Sequence, residues 1–127
     1  MGKDNLARLR VLVIEDESMV SMLIEDMLEE MDCIVAGLAS ELSEALALTR
    51  SLQFDAAILD VNLNGFTSFS IAEALQEEKG IPFIFATGYG AAAIPEMFSQ
   101  VPVLAKPFLS SQLRKALAAA VAQASAK

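Results

Sequence analysis

The sequence predicts a doubly wound α/β domain with one parallel sheet of five strands and helices on both of its faces. Three observations support this fold class. Five short apolar runs are spaced along the chain, the segments between them show helical periodicity, and most runs end directly at a polar or charged residue. Apolar runs without alternation indicate strands buried on both faces, as in parallel sheets. A chain of 127 residues is expected to form a single domain over 1–127, with its core between 9 and 124.

The strands and the first two helices follow from the apolar pattern. We expect strands at 10–14, 33–38, 56–60, 82–86 and 101–105. The first helix begins near Ser18, with Ser18 or Glu17 as its cap, and the second begins after Ser40 as N-cap. Apolar residues at helical spacing predict that the methionine-rich face of the first helix lies in the core; they are Met19, Val20, Leu23, Ile24, Met27, Leu28 and Met31.

The later helices differ in the strength of their pattern. A third helix is expected to begin between 67 and 70 and to stop at Lys79 and Gly80, with the glycine as a left-handed C-cap. The stretch 91–100 has few apolar positions and is interrupted by Pro95, so we expect a short or mobile fourth helix there. Ser110 or Ser111 caps the last helix.

Composition and charge exclude several classes of function. The net charge of -8 would repel a phosphate backbone, so direct binding to nucleic acid is not expected. Every apolar run is too short to span a membrane, and the N-terminus does not resemble a signal peptide. The single cysteine, Cys33, lies in an apolar run, which is typical of a small core residue in a reducing compartment. We therefore expect a soluble, cytoplasmic protein with no membrane partner.

Polar groups follow directly after four of the predicted strands. They are Glu15 and Asp16, then Asp60, then Thr87 and then Lys106. In a doubly wound sheet all of them reach the same edge, where open α/β sheets bind ligands. Three neighbouring carboxylates call for a cation, and Mg²⁺ prefers oxygen ligands. With a hydroxyl and an ammonium facing it, Asp60 would be the nucleophile that becomes an aspartyl phosphate.

These residues identify a family. The chain resembles the receiver domain of bacterial two-component response regulators along essentially its whole length. The resemblance is carried by motif positions in the family's order and spacing, namely Glu15-Asp16, Asp60, Thr87 and Lys106-Pro107-Phe108. It implies a flavodoxin-like fold with strand order 2-1-3-4-5, and a cis peptide bond between the lysine and the proline. It also implies that the domain is not an enzyme acting on other molecules, but promotes its own phosphorylation and dephosphorylation.

The resemblance also implies roles for residues and partners. A sensor histidine kinase would transfer a phosphoryl group to Asp60, with Thr87 and Lys106 assisting. Mg²⁺ would be held by Asp16, by Asp60 and by the main-chain carbonyl of Asn62, and Glu15 would reach the metal through water. The phosphorylated domain, a monomer or a weak dimer, would then signal to an unknown downstream protein or act as a phosphate sink. The site residues that the resemblance implies are Asp60, Thr87, Lys106, Glu15, Asp16 and Asn62.

A narrower resemblance is to a receiver subfamily of alphaproteobacteria. The segment Phe85-Ala86-Thr87-Gly88-Tyr89 looks like its signature. Members are often stand-alone domains, work with kinases of the HWE or a related class, and have a shortened or mobile fourth helix. Two positions depart from many receivers, since Asn64 replaces a loop proline and Val103 replaces an aromatic residue three positions before the lysine. Tyr89 is a hypothetical substitute for that switch aromatic.

Two alternatives compete with the phosphoacceptor switch. The first is a small phosphatase or phosphotransferase acting on a metabolite, but such enzymes commonly carry a second acid two residues after the nucleophile, and here that residue is Asn62. The second is a degenerate receiver that works as a phosphorylation-independent interaction module. The intact acidic pair, acceptor, hydroxyl and lysine argue against it.

Overall fold

The computed structural model describes residues 6–88 and 94–125. The elements up to Asp60 are β1 (Arg10–Ile14), α1 (Ser18–Glu30), β2 (Ile34–Ala39), α2 (Leu42–Ser51) and β3 (Ala56–Asp60). Those after it are β4 (Asn62–Leu63), β5 (Phe66–Thr67), α3 (Phe69–Glu73), a π-helical segment (Ala74–Lys79), β6 (Phe83–Thr87), a 3-10 turn (Glu96–Phe98), β7 (Val103–Ala105) and α4 (Ser110–Ser125).

One parallel sheet organises the fold. Its strand order is β2-β1-β3-β6-β7, and every adjacent pair of strands in it is parallel. Among the five strands of the main sheet this is the order 2-1-3-4-5. The α/β fold class, the doubly wound topology and the strand order are therefore confirmed. The carboxyl ends of β1, β3, β6 and β7 lie side by side at one edge of the sheet.

Each face of the sheet carries its own hydrophobic core. On one face, Val13 and Ile58 pack with residues of α1 and α4 such as Leu28 and Leu117. On the other face, alternate strand residues pack with α2, α3 and Phe98; they include Leu12, Ile14, Leu59 and Phe85. Successive side chains of a strand point to opposite faces, so a continuous apolar run supplies both cores. The central strand β3 is buried along its whole length.

Helix α1 does not bury its whole methionine-rich face. Ile24 and Leu28 are buried, but Met19 is 77% exposed and Leu23 is 56% exposed. The prediction that this face lies entirely in the core was therefore wrong at those two positions. The apolar set of α1 is wider than the stripe that the sheet covers, and its outer part borders solvent. Residues 20, 24, 27, 28 and 31 form the covered part.

The helix ends follow local chemistry only in part. Gly80 adopts a left-handed conformation with φ 64° and ends the π-helical segment, as predicted. The N-cap of α2 is Glu41 rather than Ser40. The Ser40 backbone N–H instead donates a hydrogen bond of 3.1 Å to the carboxylate of Glu44, which satisfies a donor that precedes the helix. The N-cap of α1 is Glu17, whose side chain makes no capping bond.

The 3-10 turn that precedes β7 packs into an aromatic cluster. Within the described residues, the expected fourth helix is represented by the single 3-10 turn Glu96–Phe98, while residues 91–93 and the proposed switch residue Tyr89 lie outside them. Phe98 is fully buried, and its ring centroid lies 5.6 Å from that of Phe85. Edge-to-face pairs of this kind add roughly 0.5–1.5 kcal/mol beyond area burial. Along the described part of the chain, none of the helices is both long and apolar enough to cross a membrane.

The two leucines of α1 give a test of this packing. Leu28→Ala is expected to lower the free energy of unfolding by about 2–5 kcal/mol, because Leu28 is fully buried between helix and sheet. Leu23→Ala makes the same chemical change on the exposed face and should cost less than about 1 kcal/mol. Urea unfolding monitored by circular dichroism measures both values. Equal losses in the two variants would contradict this packing of α1.

Candidate functional site

The sheet topology brings the predicted polar residues together. Glu15 follows β1, Asp60 ends β3, Thr87 ends β6 and Lys106 follows β7, so all four lie at the carboxyl edge. Three of them are almost fully buried, with exposed fractions of 3% for Glu15, 5% for Asp60 and 2% for Thr87. The backbone helps to fix this arrangement, because the Lys106 N–H donates to the Thr87 carbonyl at 2.9 Å.

The ammonium of Lys106 bridges two buried carboxylates. Its Nζ atom lies 3.2 Å from Glu15 Oε1 and 3.2 Å from Asp60 Oδ2, and it donates a hydrogen bond to each. The peptide bond between Lys106 and Pro107 is cis, as the family resemblance implied. Charge-assisted hydrogen bonds of this kind are among the stronger interactions in proteins. Lys106 therefore holds the predicted acceptor and the first acid of the pair in one network.

Asp16 ties the loop after β3 to the acidic pair. The Asn64 backbone N–H donates a 2.9 Å hydrogen bond to Asp16 Oδ2. Strands β4 and β5 form a small antiparallel hairpin whose turn contains Asn64 and Gly65, both with positive φ. The sequence prediction contains no hairpin here, although an Asn-Gly pair is a strong signal for a tight hairpin turn. Asn64, noted in the sequence only as a departure, thus positions Asp16.

The remaining predicted metal residue, Asn62, lies next to the acceptor. Its backbone N–H donates to Asp60 Oδ1 at 3.3 Å, and its side-chain oxygen accepts a hydrogen bond from the Gly65 N–H. Sequence reasoning also missed Glu17, whose Oε1 atom lies 4.0 Å from Lys106 Nζ. The only available signal was that Glu17 directly follows the acidic pair.

The surroundings of Asp60 change its acidity. The pKa of Asp60 is raised from its ordinary value of 3.8 to about 7. Burial is the largest cause, the hydrogen bond with Asp16 and the charge of Glu15 also raise the pKa, and Lys106 opposes them by lowering it. Burial also pushes the pKa of Asp16 upward, but the Asn64 N–H and the bond with Asp60 outweigh it, so the pKa of Asp16 is lowered. For Lys106 burial acts to lower the pKa, and the two carboxylates raise it overall.

The raised pKa of Asp60 links protonation to stability in the absence of a cation. Between its ordinary pKa of 3.8 and the folded value of about 7, the folded protein keeps a proton that the unfolded chain releases. The contribution of Asp60 to stability is therefore fully present below the lower value and is lost as the pH rises through the upper one. Either a proton or a cation relieves the repulsion among the carboxylates.

The acidic cluster fits a divalent cation. Carboxylate oxygens of Glu15, Asp16 and Asp60 all lie within 4.8 Å of one another. Neighbouring and opposite ligands of an octahedral Mg²⁺ are about 3 and 4 Å apart, so oxygens at this spacing reach one ion with small side-chain movements. Hard carboxylate oxygens are also the donor type that Mg²⁺ prefers. The residues present are thus suited to the ion that the sequence predicts.

A cavity of about 660 Å³ opens over this edge of the sheet. Its polar wall contains Asp60, Thr87 and Lys106, and its apolar wall contains Leu23 of α1 together with Phe108. Asp60 is therefore buried on the sheet side but faces an open space on the other. A reactant reaching Asp60 from that space would pass over the exposed face of α1.

Fold and site together define a flavodoxin-like α/β domain with an acidic cluster and a lysine at its carboxyl edge. The response regulator receiver domain matches residues 11–118, and the chain belongs to that family. Receiver domains typically bind Mg²⁺ at an acidic pocket, and the acidic cluster of this chain lies at the corresponding edge.

Three known proteins illustrate the relationship. The solution structure of SdrG from Sphingomonas melonis Fr1 is 42% identical, with 89% of this chain and 96% of that chain covered and a TM-score of 0.80. The response regulator PhyR from Brucella abortus is 27% identical, with 97% and 51% covered and a TM-score of 0.80. The transcriptional regulatory protein PdtaR of Mycobacterium tuberculosis is 27% identical over 117 residues, which cover 90% of this chain and 57% of PdtaR. The chain thus spans little more than half the length of that curated relative.

The acidity of Asp60 can be tested without metal. We expect its carboxyl carbon to titrate near pH 7 in carbon-detected NMR, instead of near the ordinary value of 3.8. Lys106→Met should move the midpoint to higher pH, because the cation that lowers the pKa of Asp60 is lost. Glu15→Gln should move it to lower pH, because a repelling charge is removed. A midpoint that stays in place in both variants would refute this network.

Proposed function

We propose that this chain is a phosphoacceptor switch that receives a phosphoryl group from a sensor histidine kinase on Asp60. The observation that carries the proposal is the bridge from Lys106 to both Asp60 and Glu15 at 3.2 Å. An ammonium already bonded to the acceptor carboxylate is placed to neutralise a phosphoryl oxygen once Asp60 becomes an acyl phosphate. A domain used only for binding has no need of a buried charged network of this kind.

The transfer breaks one bond and forms one. A carboxylate oxygen of Asp60 bonds to phosphorus while the bond between phosphorus and the donor imidazole nitrogen breaks, and the imidazole leaves with that electron pair. Mg²⁺ bound to Asp16, Asp60 and the Asn62 carbonyl, with Glu15 acting through water, would supply charge neutralisation. Thr87 would donate a hydrogen bond to the new phosphoryl group, and ionised Asp60 is the reactive form.

The chemistry is that of a switch rather than of an enzyme with a separate substrate. Asn62 lies two residues after the acceptor and offers no acidic proton for a leaving group. We propose that the domain promotes only its own phosphorylation and dephosphorylation. After transfer, a phosphoryl group of roughly −1.5 to −2 charges replaces the single negative charge of ionised Asp60 where Thr87 and Lys106 meet. This change would be transmitted to a downstream protein, or the domain would serve as a phosphate sink.

The kinase would approach from the open side of the cavity. There the exposed side chain of Leu23 in α1 lines the path to Asp60, and a partner could cover it. We propose a kinase of the HWE or a related class, because the segment Phe85–Tyr89 resembles the subfamily that uses it. A cytoplasmic reaction agrees with a single cysteine, Cys33, which is buried in the core.

Phosphorylation itself is tested by intact-mass spectrometry. After incubation with Mg²⁺ and acetyl phosphate, the protein should gain one phosphoryl group, and EDTA should prevent the gain. Asp60→Asn should abolish it. Asp55→Asn is the matched control, because Asp55 precedes the same strand and pairs with Arg10 at 3.2 Å, far from the cavity lining. An adduct that persists in Asp60→Asn would show that another residue is the acceptor.

Metal binding distinguishes the switch from a degenerate interaction module. Amide shifts near Asp16 and Asp60 should saturate with Mg²⁺, and the apparent affinity should rise from about pH 6 to about pH 8 as Asp60 loses its proton. The pKa of Asp60 near 7 sets this range. Asp60→Asn should bind more weakly and lose the pH dependence. A wild-type protein without a saturable response would favour the interaction module.

A further inference from the structure

Glu17 lines the cavity, and its carboxylate does not cap the helix that it precedes. It is the N-cap residue of α1, yet its side chain makes no capping hydrogen bond. The side chain is 67% exposed and lines the cavity. Its backbone N–H donates to Glu15 Oε2 at 3.1 Å, so the main chain holds Glu15 while the carboxylate is left to face the cavity.

The carboxylate of Glu17 influences Lys106 and the cavity through its charge, not through a hydrogen bond. Lys106 Nζ is 4.0 Å from Glu17 Oε1, beyond hydrogen-bond distance, and is already bonded to Glu15 and Asp60 at 3.2 Å. Lys106 is the one cationic residue among the described residues that line the cavity, against three acidic ones there: Asp16, Glu17 and Asp60. Of these, Glu17 is the one that no sequence motif assigns to metal or phosphoryl chemistry.

We propose that Glu17 is a specificity-determining residue that disfavours small, doubly negative phosphodonors such as acyl phosphates. The inference rests on the proposed phosphoacceptor function of Asp60. Every donor brings negative charge past Glu17 and meets the same repulsion. A protein donor offsets this repulsion with contacts along the apolar wall of the cavity, formed by Leu23 and Phe108. A small donor makes no such contacts, so it is slowed.

The test compares phosphorylation rates. Wild type and Glu17→Gln are incubated with acetyl phosphate at saturating Mg²⁺ and low salt, and the adduct on Asp60 is followed by intact-mass spectrometry. In this step the Asp60 oxygen bonds to phosphorus, the bond from phosphorus to the acyl oxygen breaks, and acetate leaves. We expect Glu17→Gln to react about three- to tenfold faster, and the difference to shrink to less than about twofold at 1 M salt.

Two controls separate local charge from other effects. Glu29→Gln makes the same change in net charge on an exposed residue of α1, about 18 Å along the helix from Glu17, and should leave the rate unchanged. Phosphoramidate carries one net negative charge near neutral pH, so Glu17→Gln should accelerate it by only about the square root of the factor seen with acetyl phosphate.

The outcomes are distinguishable. Equal rates for wild type and Glu17→Gln, an equal gain in Glu29→Gln, or an acceleration that persists at 1 M salt would overturn the role of Glu17 while leaving Asp60 as the acceptor. No adduct in any of the three proteins with either donor, at long incubation, would instead count against the phosphoacceptor function, and the role of Glu17 would fall with it.

Discussion

The contact on which the site depends is the ammonium of Lys106 between Glu15 and Asp60. Two carboxylates that are almost fully buried would repel each other across a short distance, and burial would drive at least one of them to the neutral form. Lys106 lowers the pKa of Asp60, while Asp16 and Glu15 raise it. The site is therefore balanced between a protonated state and a cation-bound state, and this balance makes Asp60 responsive to metal and to added charge.

The sheet supplies the rigidity that this balance requires. Asp60 ends a strand that is buried along its whole length, and the Val61 N–H donates to the Ala86 carbonyl at 3.0 Å beside it. Cores on both faces hold the strands, so the polar side chains at the carboxyl edge have few ways to move apart. The hairpin after β3 lies outside the main sheet and is tied to the site through Asn64 and Asp16.

Membership of the receiver family explains why this site is found on this fold, and the departures show where this chain differs. Val103 occupies the position where many receivers carry an aromatic residue. The described residues hold an aromatic cluster on the α3 side of the sheet, in which Phe98 packs against Phe85, two residues before Thr87. The strand that carries Thr87 is thus packed against the 3-10 turn that follows it in the chain.

The sequence by itself determined the fold class, the strand order through the family resemblance, and the residues at the carboxyl edge, because apolar runs that end in polar residues reflect burial directly. Local patterns failed where the outcome depends on which neighbour covers a side chain. Met19 and Leu23 fit the apolar face of α1 but lie beyond the width that the sheet covers. The N-cap of α2 is Glu41 instead of the predicted Ser40. Only the tertiary structure decided that Lys106 bridges Glu15 and Asp60, that Asn64 holds Asp16, and that Glu17 faces the cavity. Those contacts join residues far apart in the chain or depend on a side-chain direction, and neither is encoded in local periodicity.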